Sequence, residues 1–336
     1  MAGNTRFGVT NWIEDSNTTL LNGPAVVVGV IAQWTNGSAN VTRAAGSWFT
    51  DGVKPWSLVG GNLATRFPAS TRVQSVGATT LVMTAAATAA GSGTDSASFT
   101  PTYPLEEDVN FPTSNLQYPR RNVRWATGPT PTFPLSIEYD LGSNRLIAVF
   151  AGLASETLDA LTSTLGFSSV ALYTGTVYGS YTLQGSKNFA LPYRDKGGPL
   201  ASSVSHRFVR FQLGGVGPAT AATVWAGPIG QDLGVALWPG SAFRHEDNVA
   251  RGFTGGMLQA FFNRGPARRV MRFGLDGINE TQRAQIFTVF GAPLRKPLLI
   301  DPDDECWEVA LVDDSLEWIH RFNDYRSQIL ALETLR

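Results

Sequence analysis

Between residues 135 and 141, apolar Leu135, Ile137, Tyr139 and Leu141 alternate with polar Ser136, Glu138 and Asp140. A period of two belongs to a strand with one face on a core and the other in solvent. Asp140-Leu141-Gly142-Ser143-Asn144 follows and predicts a turn. Leu146 to Phe150 are then almost continuously apolar, which predicts a strand covered on both faces. Two strands joined by a tight turn make a sandwich nucleus. Alternation returns near Val170, Leu172 and Tyr173, near Tyr181 and Leu183, and at residues 207–213, RFVRFQL, where Phe208, Val209, Phe211 and Leu213 are apolar.

Outside this nucleus the pattern is mixed. The β-branched run at residues 25–32, AVVVGVIA, predicts a buried strand after the turn signal Asn22-Gly23-Pro24. Residues 79–98 are rich in Ala and Thr and end in Gly91-Ser92-Gly93, which predicts a strand running into a flexible tip. Leu158, Leu161 and Leu165 recur at helical spacing between Ser155 and Gly166, predicting a short helix inserted between strands. The clearest helix is predicted near 279–290. Asn279 and Gln282 fit a capping box, Ile286, Phe287, Val289 and Phe290 give an apolar face, and Gly291 and Pro293 give the stop. Strands are expected around 298–300, 309–312 and 328–332.

Composition narrows the class. With 35 Gly, 19 Pro, 9 Trp and 19 Phe in 336 residues, the chain favours many short strands and turns, so the fold is read as mainly β with one or two short helices. Pro101, Pro104 and Glu106-Glu107-Asp108 mark a boundary, giving three expected regions: a β-rich region 1–103, a β-sandwich 104–218, and a β-rich domain 219–336 that holds the 279–290 helix. The 26 Lys and Arg against 27 Asp and Glu leave a net charge of −1, so no global field draws nucleic acid or an anionic membrane. Cys306 is the sole cysteine, which rules out an intrachain disulfide and a multi-Cys metal site. MAGNTRFGVTNW lacks a signal-peptide pattern and no stretch approaches a membrane span, so a soluble protein is expected.

Three segments carry a resemblance. Pro112-Thr113-Ser114-Asn115-Leu116, Val123-Arg124-Trp125 and Ile137-Glu138-Tyr139-Asp140-Leu141-Gly142 together resemble the opening of discoidin-like (galactose-binding-like) jelly-roll modules. In that family an Asn-Leu pair and a Trp precede a strand ending in Asp-Leu-Gly, and the strand matching residues 207–213 returns beside it. Such modules recur in tail-tip structural proteins of tailed bacteriophages. The chain as a whole resembles these, with support from the pattern of its C-terminal part. The resemblance implies a virion component at the tail tip or baseplate, assembled in the host cytoplasm as a homo-oligomeric ring with other tail proteins, its middle module facing a host surface glycan or another tail protein. A stand-alone carbohydrate-binding protein is the alternative, and a glycan-degrading enzyme comes third.

Exposed contact is assigned to Trp125 and the loop from Thr127 to Phe133, with core packing the commoner use of such a Trp. Trp34, Trp48 and Trp56 lie in Gly-, Ser- and Asn-rich surroundings, where aromatic rings either stack on sugars or pack. Arg120, Arg121 and Arg124 form one basic cluster and Arg264, Arg268, Arg269 and Arg272 another. Both suit ring interfaces with the acidic residues 301–305, or serve as solvated charges on strand edges. His206, His245 and His320 stand in separate contexts, and His245-Glu246-Asp247 lacks metal-ligand spacing. The run Asp301-Pro302-Asp303-Asp304-Glu305 breaks the EF-hand pattern and is read as a solvated turn. No catalytic motif, metal site or cofactor is predicted, and the chain is expected not to be an enzyme.

Overall fold

Two antiparallel strands of 20 residues each, Leu135–Ala154 and Lys196–Gly215, organise the molecule. They belong to a computed structural model that describes residues 6–22, 27–101, 113–117, 125–128, 130–154, 167–188, 196–216, 220–232, 242–246, 249–253, 259–263, 268–290, 297–300, 306–311, 319–321 and 324–333. The helix expected at 155–166 lies outside these residues.

The turn expected at Asp140–Asn144 is a bulge inside one strand. Asp140 pairs with Phe208 and Arg145 with His206, so residues 141–144 face Arg207 alone and the chain does not reverse. A tight hairpin turn of the primed type needs φ > 0 at one or both central residues with the strands reversing around them. Here Gly142 alone among 140–144 takes positive φ (76°), and its N–H donates to Asp140 Oδ1 at 2.8 Å. The Asp carboxylate thus closes a local loop while the strand continues.

Strands Thr182–Asn188, Phe167–Gly175, Lys196–Gly215, Leu135–Ala154, Thr220–Gly227 and Trp125–Ala126 neighbour one another in that order. Both halves of the bent strand Leu135–Ala154 wall one core: Ile137 and Tyr139 from the first half, Ile147 and Phe150 from the second, with Val170, Leu172, Val209, Phe211 and Val224. The result is a β-sandwich. The both-face cover expected after Leu146 is present at Val149–Ala151. Phe150 enters this core, whereas Val149 and Ala151 pack with Trp225 of the same sheet and with Leu298, Ile300 and Cys306 of a second sheet. That sheet runs through Ile229–Asp232, Arg6–Gly8, Leu298–Ile300, Cys306–Leu311, Asp324–Glu333, Arg268–Ile278 and Ala242–Glu246. Helix Glu280–Phe290 carries the expected capping box, with Gln282 N–H donating to Asn279 Oδ1 at 2.9 Å and Asn279 N–H to Gln282 Oε1 at 3.1 Å. Among the described residues no helix is long and apolar enough to cross a membrane.

The first hundred residues divide. Residues 6–22 belong with the later sheets: Arg6–Gly8 lies between two C-terminal strands, and Thr19–Leu20 pairs with Tyr139 and Asp140. Asn22 extends that edge by donating to the Ser136 carbonyl at 2.8 Å and accepting from Glu138 N–H at 2.6 Å. On the other side of the excursion, Gln117 Nε2 donates to the carbonyls of Ile13 and Thr18 at 3.3 and 3.2 Å. Between these anchors residues 27–101 form a sheet of their own, in the order Leu58–Gly60, Ser92–Thr100, Val27–Thr35, Asn40–Arg43, Thr80–Met83, Val73–Val76. It is an insertion between two sandwich elements. Of the run at 25–32 the described part, residues 27–32, is half-exposed in it, with Val28 at 70% exposure, because positive φ at Gly29 (72°) and a register shift between Val27 and Val30 interrupt the alternation. The Ala-rich tip is tied back: Asn36 N–H donates to the Gly91 carbonyl, and Ala87 exchanges bonds with Gly37 and Ser38.

Candidate functional site

The alternation that buries Ile137 and Tyr139 turns Ser136, Glu138 and Asp140 to the other face of the sheet. On Lys196–Gly215 the burial of Val209, Phe211 and Leu213 in the core sends Phe208, Arg210 and Gln212 the same way. On Phe167–Gly175 the outward positions are Ala171 and Tyr173. Register then lines these up in cross-strand rows: Ala171, Gln212 and Ser136; Tyr173, Arg210 and Glu138; Gly175, Phe208 and Asp140.

The middle row holds the chemistry. The Arg210 guanidinium lies 4.6 Å from the ring centroids of both Tyr173 and Tyr181. Tyr173 OH donates to Gln212 Oε1 at 3.2 Å. Arg210, Tyr173, Tyr181 and Gln212 are each partly exposed, whereas Glu138 beside them is 2% exposed. Tyr178 OH donates to Glu138 Oε2 at 3.0 Å. Glu138 Oε1 and the Tyr181 hydroxyl, close enough to interact electrostatically, make no hydrogen bond of ordinary geometry. Burial holds the Glu138 carboxyl above the usual carboxylate range, against the opposing pull of Tyr178, Tyr181, Arg210 and Arg72. Burial likewise pushes the Tyr181 hydroxyl up, and the Glu138 charge adds to it.

The third row is closed. Arg207 grips Asp140 with two bonds of 2.7 Å, Nε to Oδ1 and Nη2 to Oδ2. From the inserted sheet, Trp56 Nε1 donates to Asp140 Oδ2 at 3.4 Å, and its ring meets Phe208 edge-on with centroids 5.2 Å apart. His206, on the same strand, shares a 2.6 Å hydrogen bond with Thr174 Oγ1.

Of the residues singled out from the sequence, Trp56 reaches this face, and Trp125, Thr127 and Phe133 lie elsewhere. Trp125 is 0% exposed in the sandwich core, stacked on Phe167 with centroids 5.6 Å apart. Thr127 is buried as well, and Phe133 is partly buried against the same Phe167. Trp34 and Trp48 are buried in the inserted sheet, whereas Trp56 reaches the sandwich. Arg120, Arg121, Arg124 and Arg264 lie outside the described residues. Arg268 and Arg269 stand in a strand opposite Glu246 and His245. Among the described residues no group of three or more His, Cys, Asp or Glu is arranged to hold a metal, and residues 301–305 lie outside them. The signal for Glu138 and Arg210 was the polar half of the alternations that predicted the strands. Tyr178 sits in a turn and had no such signal, and Trp56, also in a turn, stood out only as one of three tryptophans in Gly-, Ser- and Asn-rich surroundings.

No protein-family model matches the chain, and no curated protein does. Among solved structures, the chain is similar to the family 32 carbohydrate-binding module of Clostridium perfringens NanJ, solved with galactose. That match has 18% identity over 36% of this chain and 88% of the module, with a TM-score of 0.31. A second C. perfringens family 32 module, solved with GalNAc-β-1,3-galactose, gives 18% identity over 37% of this chain and 91% of its own, with a TM-score of 0.32. A Ruminococcus gnavus GH29 fucosidase solved with fucose gives 13% identity over 37% of this chain and 23% of its own, with a TM-score of 0.30.

Proposed function

We propose that this chain is a non-catalytic saccharide-binding protein whose ligand lies on the outer sheet face around Arg210. The observation that carries this reading is the row Tyr173–Arg210–Glu138, with one guanidinium between two partly exposed tyrosine rings and a carboxylate at its foot. Sugars present apolar C–H faces and a rim of hydroxyls. Aromatic rings cover the first, while guanidinium and amide groups bond the second, with the buried Glu138 carboxylate behind them. Gln212 adds the amide. Asp140 is engaged by Arg207 at both oxygens, which supports an architectural role for it.

The test is calorimetric titration of the full chain with lactose, cellobiose, chitobiose and maltotriose, repeated on Tyr173→Ala and Arg210→Ala. The expected result is wild-type binding to at least one sugar, with each variant weakened roughly tenfold or more while melting close to wild type. Wild-type silence across the panel, or variants that bind as wild type does, would overturn the reading. Release of reducing ends from a bound sugar would replace binding with hydrolysis.

A further inference from the structure

We propose that Trp56, carried by the inserted sheet, is a positioning residue of this face: it holds Tyr178 over Glu138 and so sets the shape of the site from outside the sandwich. The inference rests on the saccharide reading for its ligand and on geometry for the rest. Tyr178 belongs to the turn between Phe167–Gly175 and Thr182–Asn188, where Val177 is largely exposed and Gly179 has a φ of 83°. Within that turn Ser180 N–H donates to the Val177 carbonyl at 3.2 Å. The Tyr178 ring meets Phe208 and Tyr181 of the sandwich edge-on, with centroids 5.7 and 6.3 Å apart, and the contact that covers its face comes from the insertion. The Trp56 indole stacks on it with centroids 4.9 Å apart and planes inclined by 13°, and the Arg72 guanidinium lies 5.4 Å from its centroid.

Trp56 is built to project in this way. Its backbone has a φ of 66°, a left-handed conformation uncommon for a bulky residue. Its N–H donates to the Val73 carbonyl at 2.6 Å and its own carbonyl accepts from Arg72 Nη1 at 2.9 Å, so its own sheet holds that conformation. The indole leaves the inserted sheet and reaches Tyr178, Phe208 and Asp140 of the sandwich. Contact then passes from Trp56 to Tyr178 and through the 3.0 Å bond to Glu138, which Tyr181, Arg210 and Arg72 also face. Strained backbones that aim a side chain cluster at functional sites.

Trp56→Gly and Trp56→Phe test this, read by hydrogen exchange without ligand and by titration with the sugar the wild type binds best. Gly suits a left-handed backbone, so that variant removes the indole while leaving residues 27–101 folded. The expected result for Trp56→Gly is faster exchange at residues 176–181, unchanged protection in the inserted sheet, and affinity lowered by roughly tenfold. Trp56→Phe keeps a ring against Tyr178 and recovers most of both. Unchanged exchange at 176–181 in Trp56→Gly overturns the proposal, as does affinity equal to wild type. Lost protection throughout 27–101 in both variants makes Trp56 a support of its own sheet and overturns it too. If the wild type binds no sugar, the saccharide reading fails by itself, and exchange at 176–181 still decides the positioning role.

Discussion

In the inserted sheet, Arg66 lies 5.3 Å from the Trp34 ring centroid and bonds Asp95 at 2.9 Å, and Arg43 lies 5.4 Å from Trp48 and bonds Asp51 at 2.7 Å. In the sandwich, Arg210 lies between two tyrosines with Glu138 alongside. The ingredients are alike, an aromatic ring, a guanidinium and a carboxylate, but they stand on different faces. Trp34 and Trp48 belong to their sheet's own core, so each arginine roofs a packed residue. The sandwich fills its core with Trp125, Phe150, Phe167 and Phe211 on the opposite face, and the tyrosines around Arg210 are not part of that core. Where an aromatic–arginine pair sits relative to the core separates structural use from ligand use, and composition carries no trace of that difference.

The largest effects should fall on the two cores. Trp125→Ala and Trp48→Ala each remove a fully buried indole and are expected to cost about 3–5 kcal/mol, the first in the sandwich and the second in the inserted sheet. Urea unfolding followed by residue-resolved hydrogen exchange reads the two regions separately. Tyr173→Ala, on the partly exposed face, is expected to cost under about 1 kcal/mol. A loss as large as that of Trp125→Ala would make the face part of the packing and break the comparison.

A smaller effect distinguishes the two bulges. Gly142 in the sandwich and Gly29 in the inserted sheet have φ of 76° and 72°, so Ala at either position incurs the left-handed penalty of about 1–2 kcal/mol. A Cβ at Gly142 would also sit 3.2 Å from the Asn17 carbonyl oxygen, whereas one at Gly29 meets nothing within 4 Å. Thermal unfolding should rank Gly142→Ala as the more damaging. The reverse order would mean that the sandwich bulge yields more readily than its bonds to Asp140 suggest.

Much of the architecture was legible because one face of each strand is buried. The alternation at 135–141 and 207–213 located the long strands, and Asn279 with Gln282 located the helix, since both signals are local. The bulge at 141–144 was misread as a reversal because turn chemistry is shared by hairpins and bulges. What distinguishes them is whether the next strand pairs with the same partner, a long-range fact. The insertion was invisible for a related reason. Nothing near Asn22 announces that its side chain bonds Ser136 and Glu138, over a hundred positions away. The site residues were half-legible: Glu138 and Arg210 occupy the polar phase of visible strands, whereas their meeting with Tyr178 and Trp56 depends on how the two regions dock. Trp125 was conspicuous in the sequence because it packs, and the structure gives it to the core.

The smallest effect is a pH dependence of opposite sign in the two regions. In the inserted sheet, the Arg66 hydrogen bond, helped by that from Trp34, holds the Asp95 carboxyl below the usual carboxylate range. A carboxyl depressed on folding contributes stability above its unfolded pKa of about 3.9 and loses it as pH falls through the folded value. Glu138 in the sandwich is raised by burial, so its contribution is complete below its unfolded pKa of about 4.3 and is lost as pH rises through the folded value. Asp95→Asn is therefore expected to destabilise the inserted sheet at pH 7, with the difference from wild type shrinking as the pH is lowered below about 4. Glu138→Gln is expected to stabilise the sandwich at pH 7, with the gain fading as the pH is lowered toward 4. Urea unfolding of both variants between pH 3 and 8 checks the two signs. A Glu138→Gln variant that loses stability at pH 7 would show that Arg210, Arg72 and Tyr178 more than offset the burial of the charge. The acid at the foot of the face would then be held as tightly as the one roofing Trp34, and the contrast between the regions would disappear.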